Sequence, residues 1–216
     1  MIEALVFDMD GTLVDSELFH YESWKDILAR HKVEKFPFVD FLAYVGTSDE
    51  KLAEDFIESE RIPLSVEELV SQKRLIYLKM IPDIDLLPGV RKTLELFHGT
   101  LPLAVASSSP RIELDRILKT QKLDSYFEQV IGGDMVSRKK PDPEIYLKTC
   151  DLLGLHPSLC VAFEDSESGV AAARNAGMSV VAIPHGLSKH HDFGRADLVV
   201  SRMDEVNDSL LDRFNT

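Results

Sequence analysis

The sequence predicts an α/β protein: a doubly wound, mainly parallel sheet that carries an all-helical insert. Short, continuously apolar runs recur along the chain, and helical patterns lie between several of them. From about residue 16 to about residue 85 this alternation stops, and only amphipathic helical patterns remain. With 216 residues, of which 44% are hydrophobic, the chain is long enough for one such domain and a smaller insert.

The apolar runs are the predicted strands. Each run is short and continuously apolar, without regular polar alternation, which is typical of strands buried on both faces of a parallel sheet. The runs cover residues 4–7, 103–106, 161–163, 180–183 and 198–200.

The predicted helices fall into two groups. Those between the strands cover residues 90–97, 112–118, 145–153 and 168–176, the last of which ends at Gly177. Those in the insert cover residues 17–30, 38–44, 50–60 and 66–80. In the insert, Thr47 followed by Glu50 predicts a capping box at the start of the third helix. We therefore expect a Rossmann-like α/β core formed by residues 1–15 and 86–216, and a helical domain formed by residues 16–85.

The charge balance argues against polyanionic partners. Lys and Arg total 24 against 37 Asp and Glu, which gives a formal net charge of −13. Such a chain repels nucleic acid and anionic membranes, although a small anionic substrate remains compatible with a locally positive site. No run reaches membrane-spanning length and no signal peptide is visible, so a cytoplasmic protein is expected. Cys150 and Cys160 are predicted to be buried, reduced thiols. The sequence leaves open a monomer or a weak homo-oligomer.

Two carboxylates follow the first predicted strand. Asp8 and Asp10 are two residues apart, so on an extended chain they point the same way, and Gly11 then allows a sharp turn. Ligands of parallel sheets bind beyond the carboxyl ends of the strands. Two like charges held close together need a cation or a shared proton. The alternative is a polar turn with two solvated aspartates.

Other strand ends add polar groups at the same edge of the sheet. The second predicted strand is followed by serines 107–109, the predicted strand at residues 161–163 by Glu164 and Asp165, and Lys140 lies in a loop before a helix. Each feature alone is common in turns and helix starts. Together they provide acidic pairs, hydroxyl groups and a lysine, and carboxylate oxygens with a phosphate oxygen suit Mg²⁺.

These motifs, in this order, resemble those of the haloacid dehalogenase superfamily. The segments are DMDGT, ASSS, KKPDPEIY and AFEDSESGVAAARNAGM, and the similarity covers nearly the whole chain. The branch it most resembles contains the β-phosphoglucomutase-like proteins and sugar phosphatases. The resemblance implies a Rossmann-like core and a mobile helical cap inserted after the first strand.

The resemblance also implies roles for individual residues. Asp8 would be the nucleophile that forms an aspartyl-phosphate, and Asp10 the general acid and base. The implied phosphate-binding residues are Ser107, Ser108 and Lys140. The implied Mg²⁺ ligands are Asp8, the backbone carbonyl of Asp10, Asp165, and Glu164 as a ligand or its immediate neighbour.

Four residues are candidates for contact with the substrate or for the cap. His20 lies at the expected junction of cap and core, although a histidine on the helix surface is an equal alternative. Gly46 and Thr47 mark a cap loop, and Arg111 follows the serine cluster.

The function predicted from these residues is Mg²⁺-dependent hydrolysis of a small phosphorylated metabolite, most simply a sugar phosphate. A phosphomutase of the β-phosphoglucomutase type is the main alternative. In that pattern, a lysine precedes the cap-loop glycine and an arginine follows it by three positions, whereas this chain has Val45 and Asp49 there. A haloacid dehalogenase is less consistent with the full aspartate set, and a binding module without activity is the least consistent.

Overall fold

The computed structural model describes residues 1–33, 35–45 and 47–215. Within these ranges it contains one six-stranded parallel sheet with the order β3-β2-β1-β4-β5-β6. The strands are β1 (Ala4–Phe7), β2 (Leu103–Ala106), β3 (Gln129–Ile131), β4 (Cys160–Glu164), β5 (Ser179–Ala182) and β6 (Leu198–Val199). The prediction of a Rossmann-like, doubly wound α/β fold is therefore confirmed.

The described residues form nine α-helices, of which the first eight lie at predicted positions and the last was not predicted. They are α1 (Glu17–Arg30), α2 (Phe38–Phe41), α3 (Asp49–Glu60), α4 (Val66–Met80), α5 (Val90–Phe97), α6 (Arg111–Thr120), α7 (Glu144–Leu153), α8 (Glu167–Ala176) and α9 (Asp208–Leu211). The helix α2 continues as a 3₁₀ turn over Leu42–Tyr44. None of the helices in the described ranges is both long and apolar enough to cross a bilayer.

Strand β1 separates two apolar layers. Leu5 and Phe7 belong to a cluster that also includes residues of α5 and α6. Ala4 and Val6 belong to a second cluster with residues of α7 and α8. Because successive side chains of a strand point to opposite faces, this division places helices on both faces of the sheet.

Helices α1, α3 and α4 bury a third cluster around Trp24, Ile27, Leu52 and Leu69. Towards its end α4 joins the first cluster through Tyr77. Helix α4 therefore contributes to the core of the helical segment and also to one apolar layer of the sheet. A hinged cap with boundaries near residues 15 and 86 stays a prediction.

Two details of the sequence analysis were wrong. Strand β3 was not predicted, because it has three residues and Gln129 and Val130 are only half-buried, unlike the fully buried runs. The capping box at Thr47 was also wrong. Helix α3 begins at Asp49 after Ser48, whose hydroxyl accepts a hydrogen bond from the Lys51 N–H.

The Thr47 hydroxyl instead donates to the Tyr44 carbonyl, at 2.7 Å. A capping box does occur at the start of α4, between Ser65 and Glu68. The expected state of the cysteines is confirmed, since Cys150 and Cys160 are both buried and free.

Candidate active site

A pocket lies beyond the carboxyl ends of the central strands. Strand β1 is flanked by β2 and β4, so the chain order of the strands reverses there, and ligands of open α/β sheets bind at such a switch point. The pocket is lined by the loops after these three strands and by side chains of α1, α3 and α4. Its lining includes the predicted residues Asp8, Asp10, His20, Thr47, Ser107, Ser108, Lys140 and Asp165.

Lys140 joins two of the predicted carboxylates. Its ammonium group is 2.7 Å from Asp8 Oδ1 and 2.6 Å from Glu164 Oε1, and it also donates to the Ala106 carbonyl at 2.9 Å. Burial would lower the pKa of Lys140, but the two carboxylates raise it above its ordinary value. The lysine is therefore a cation at any physiological pH. The Tyr146 hydroxyl donates a further hydrogen bond to Glu164.

Asp8, Glu164 and Asp165 form a buried group of three carboxylates. One oxygen of each lies within 4.8 Å of the others. Burial raises the pKa of Asp8 well above its ordinary value, with Lys140 acting against this shift. Burial and the charges of Asp8 and Glu164 likewise raise the pKa of Asp165. A divalent cation among hard oxygen atoms would relieve this repulsion, so the donor set fits Mg²⁺.

Two glycines make room for this acidic group. A Cβ atom on Gly11 would lie 2.2 Å from Asp165 Oδ2, and Gly11 has a φ of +74°. A Cβ atom on Gly169 would lie 2.0 Å from the carboxyl carbon of Glu164. Side chains at these positions would displace the carboxylates, and at Gly11 the backbone conformation also favours glycine.

Asp10 has a different environment from Asp8. Its carboxylate accepts hydrogen bonds from the hydroxyls of Ser16 and Ser109, each at 2.6 Å, and His20 Nε2 lies 3.4 Å away. Burial alone would raise the pKa of Asp10, but His20 and the two hydroxyls lower it well below its ordinary value. The sequence analysis did not identify Ser16 or Ser109 as partners of Asp10. Both face it from separate segments of the chain.

His20 connects Asp10 to the helical segment. Its ring stacks on Tyr77 with 4.1 Å between the ring centroids, and its Nδ1 lies 2.8 Å from the Lys73 ammonium group. Lys73 is completely buried and also contacts Asp49 Oδ2 at 2.8 Å. Lys73 was not predicted. Lys73 lies among the apolar residues on the buried face of α4. This position could have indicated a buried charged partner, because a lysine is almost never buried without one.

The charge environment of Asp49 differs from the one expected from the sequence. From the sequence, Asp49 counted as a charge that would repel a phosphate. In the structure it is neutralised by Lys73 and accepts a hydrogen bond from Trp24 Nε1 at 2.8 Å. These contacts lower the pKa of Asp49 even though burial opposes the shift.

The remaining predicted residues are placed as follows. The Ser107 hydroxyl is buried and accepts from the Ser109 N–H at 3.1 Å, and Ser108 lies at the pocket wall. The guanidinium group of Arg111 points away from the pocket, because it donates to Asp115 Oδ1 and to the Val130 carbonyl. The structure thus does not bring Arg111 to the site. Gly46 lies outside the described residues.

The fold and the site together define a Rossmann-like α/β protein with an acidic site at the centre of its sheet. A sequence profile described as "Haloacid dehalogenase-like hydrolase" matches residues 5–183. The chain belongs to this family, and the predicted resemblance is confirmed.

Relatives with similar sequences or structures are phosphatases and mutase-like proteins. The fructose-1-phosphate phosphatase YqaB of Escherichia coli is 32% identical over 179 residues, which cover 82% of this chain and 94% of that protein. A putative β-phosphoglucomutase structure from Thermotoga maritima is 29% identical with a TM-score of 0.76, covering 98% and 99% of the two chains. CbbY from Rhodobacter sphaeroides, solved with xylulose-(1,5)bisphosphate, is 26% identical with a TM-score of 0.89 and coverages of 96% and 97%.

Proposed function

We propose that this protein is a Mg²⁺-dependent phosphatase that hydrolyses a small phosphorylated metabolite, a sugar phosphate, through an aspartyl-phosphate. The observation that carries the proposal is the pairing of Asp8 with Lys140 beside a second carboxylate, Asp10, that is held by separate donors. A nucleophile next to a fixed cation and an independent proton carrier are what phosphoryl transfer to water requires.

In the proposed reaction, a carboxylate oxygen of Asp8 attacks phosphorus and the ester P–O bond breaks. Because its hydrogen-bond partners favour its ionised form, Asp10 must first take up a proton, which it then gives to the leaving oxygen. Asp10 then removes a proton from the water that attacks the aspartyl-phosphate, which releases inorganic phosphate and regenerates Asp8. Lys140 lies where it would pair with a phosphoryl oxygen, and the hydroxyls of Ser107 and Ser108 line the same pocket.

Magnesium would be held by Asp8, Asp165 and the backbone carbonyl of Asp10. Glu164 would be their neighbour, since Lys140, Tyr146 and Ser166 already occupy its oxygens. The ion would supply positive charge to the phosphoryl oxygens and lower the cost of packing the carboxylates together.

A phosphomutase is the second candidate, because a putative β-phosphoglucomutase is among the similar structures. Hydrolysis is favoured by the environment of the cap loop. Val45 is apolar and buried, and Asp49 is held by Lys73. Neither of these positions offers a cation that could hold the second phosphate of a bisphosphate intermediate.

The test is a panel of phosphorylated metabolites with Mg²⁺ in a free-phosphate assay. It runs beside a coupled assay for conversion of β-glucose 1-phosphate to glucose 6-phosphate, primed with glucose 1,6-bisphosphate. We expect phosphate release from at least one monophosphate and little isomerisation. Isomerisation faster than phosphate release would establish the mutase instead, and no release from any monophosphate would contradict the proposal.

A further inference from the structure

Arg74 on α4 is a pocket-lining cation that the reaction described above does not use. Its side chain is 32% exposed, and its Nε lies 3.3 Å from Glu113 Oε1. Among the described residues its guanidinium group makes this ion pair but no hydrogen bond, and the buried Nε is without a hydrogen-bond partner. An arginine has five N–H donors in a fixed plane. Arg74 therefore keeps donors available for a ligand.

Glu113 on α6 holds the guanidinium group from the side of the core. Its side chain is only 1% exposed, and neither carboxylate oxygen has a hydrogen-bond partner among the described residues. Burial raises the pKa of Glu113, while Lys73 and His20 act in the opposite direction. A carboxylate at such a site needs a nearby cation. The ion pair both compensates Glu113 and restricts the orientation of Arg74.

The other cations at the pocket are already occupied. Lys139 donates to Glu50 at 2.6 Å, and Lys140 is bonded to Asp8 and Glu164. His20 contacts Asp10 and the buried Lys73.

The charges at the pocket wall that contains Arg74 and Glu17 favour a neutral group on the ligand. Glu113 compensates the charge of Arg74, so the pair is a source of hydrogen-bond donors and not of net positive charge. Glu17, in the first turn of α1, also lines the pocket, and no hydrogen bond to its carboxylate occurs in the described residues. On this wall Arg74, whose charge is compensated by Glu113, can donate to a hydroxyl group, and the Glu17 carboxylate can accept from one. The same wall repels a second phosphate.

We propose that Arg74 is a specificity-determining residue that donates hydrogen bonds to hydroxyl oxygens on the organic part of a monophosphate substrate. Glu113 is its positioning residue. This inference rests on the proposed phosphatase function and adds the class of substrate: a polyhydroxylated monophosphate is preferred over one without hydroxyls and over a bisphosphate. The alternative is that the ion pair only joins α4 to α6.

The experiment compares kcat/KM for four substrates: fructose 1-phosphate, ribose 5-phosphate, fructose 1,6-bisphosphate and p-nitrophenyl phosphate, the last of which has no hydroxyl on its organic part. The variants are Arg74→Lys, which keeps the charge, and the double variant Arg74→Met with Glu113→Gln, which removes both charges together so that no buried carboxylate is left alone. Glu113→Gln alone tests the positioning role. Lys79→Ala, at an exposed position of the same helix, is the matched control.

In the wild type we expect the better of the two sugar monophosphates to exceed both other substrates in kcat/KM. Both Arg74 variants should lower the ratio of sugar monophosphate to p-nitrophenyl phosphate by about tenfold or more, mainly through KM, because a hydrogen bond to a charged group is lost or misplaced. Glu113→Gln should lower it by a smaller factor, and Lys79→Ala should leave it unchanged.

Three outcomes would overturn the inference. An unchanged ratio in folded Arg74 variants would make the ion pair purely structural. A wild-type preference for the bisphosphate would make Arg74 an anion clamp. Hydrolysis of p-nitrophenyl phosphate without hydrolysis of either sugar monophosphate would refute the substrate class but leave the phosphatase function intact. That function itself fails on separate grounds, when no monophosphate of the wider panel releases phosphate or when isomerisation outpaces phosphate release.

Discussion

Asp8 and Asp10 are two residues apart and have opposite electrostatic environments. Burial dominates at Asp8 and raises its pKa, whereas hydroxyl donors and His20 lower the pKa of Asp10. These shifts run opposite to the proposed roles, because a nucleophile must be ionised and a general acid must carry a proton. A cation is therefore needed to keep Asp8, the proposed nucleophile, charged, and Lys140 provides part of that stabilisation.

Asp8→Asn should lower kcat by at least about 10⁴-fold, because an amide cannot act as the nucleophile. The fold should persist, since the amide has nearly the same shape and is neutral at a buried position. Phosphate release and a circular dichroism melt are the measurements. Asp15→Asn, an exposed aspartate nearby, is the control and should retain activity. Substantial turnover by Asp8→Asn would refute the assignment.

Ser109→Ala should raise the pKa of Asp10, because the hydroxyl stabilises the ionised carboxylate. The depressed pKa of Asp10 contributes stability above its unfolded pKa of about 3.9, and this contribution is lost as the pH falls. The variant should thus lose about 1–2 kcal/mol at pH 7, and NMR titration should find a higher pKa for its Asp10 carboxyl group than for that of the wild type. Urea unfolding at pH 7 measures the loss.

Ser108→Ala is the comparison for this experiment, since the Ser108 side chain makes no described hydrogen bond to Asp10. Its stability should depend on pH as that of the wild type does. If Ser109→Ala lost stability without a rise in the pKa of Asp10, the hydrogen bond to the ionised form would not be the cause of the loss.

At the scale of the elements, periodic patterns predicted well what depends on local sequence. The fully apolar run at β1 and the amphipathic pattern of α5 agree with the structure at every residue. Errors arose where the sequence pattern was short or where several neighbouring residues fitted the same role. Strand β3 has a mixed burial pattern, and the start of α3 contains several possible capping residues, of which Ser48 forms the hydrogen bond.

Helix α4 carries both Lys73 and Arg74, so its start is a useful place to perturb it without touching the pocket. Ser65→Ala removes the hydroxyl that accepts from the Glu68 N–H and donates to the Glu68 carboxylate, whereas the Ser65 N–H keeps its hydrogen bond to that carboxylate. We expect a loss of about 1 kcal/mol, or a fall in Tm of about 2–4 °C. Differential scanning calorimetry is the measurement.

The matched control is Ser71→Ala in the exposed middle of the same helix. It should be neutral or slightly stabilising, because alanine is the better helix former. Equal losses from both substitutions would show that the capping box contributes nothing specific.

At the scale of the whole molecule, the site collects residues that are far apart in the chain. The predicted carboxylates and Lys140 meet because each follows a strand or precedes a helix at one edge of the sheet. The contact of Arg74 with Glu113 could not be predicted in this way. It depends on how α4 is oriented against α6, and helical periodicity specifies a buried face but not its partner.

Chelation should abolish activity and added Mg²⁺ should restore it. Mg²⁺ should also raise Tm, because it binds the folded carboxylate group and not the unfolded chain. The Tm rise should be lost in Asp165→Ala, whereas Asp151→Ala, at an exposed position near the end of α7, should show the wild-type shift. Full activity in excess chelator would rule out a role for the metal.

The central position of β1 has a consequence for how the chain is made. Leu5 pairs with Leu103 on one side and Val161 on the other. A ribosome adding about 5–20 residues per second needs roughly 5–20 s to pass from Leu5 to Leu103. During this interval helices α1 to α4 are all synthesised, while both hydrogen-bonding edges of β1 lack their partners. Strand β1, which precedes Asp8, can therefore pair with strands of other chains throughout early synthesis. Nascent chains are most prone to aggregate before β2 emerges.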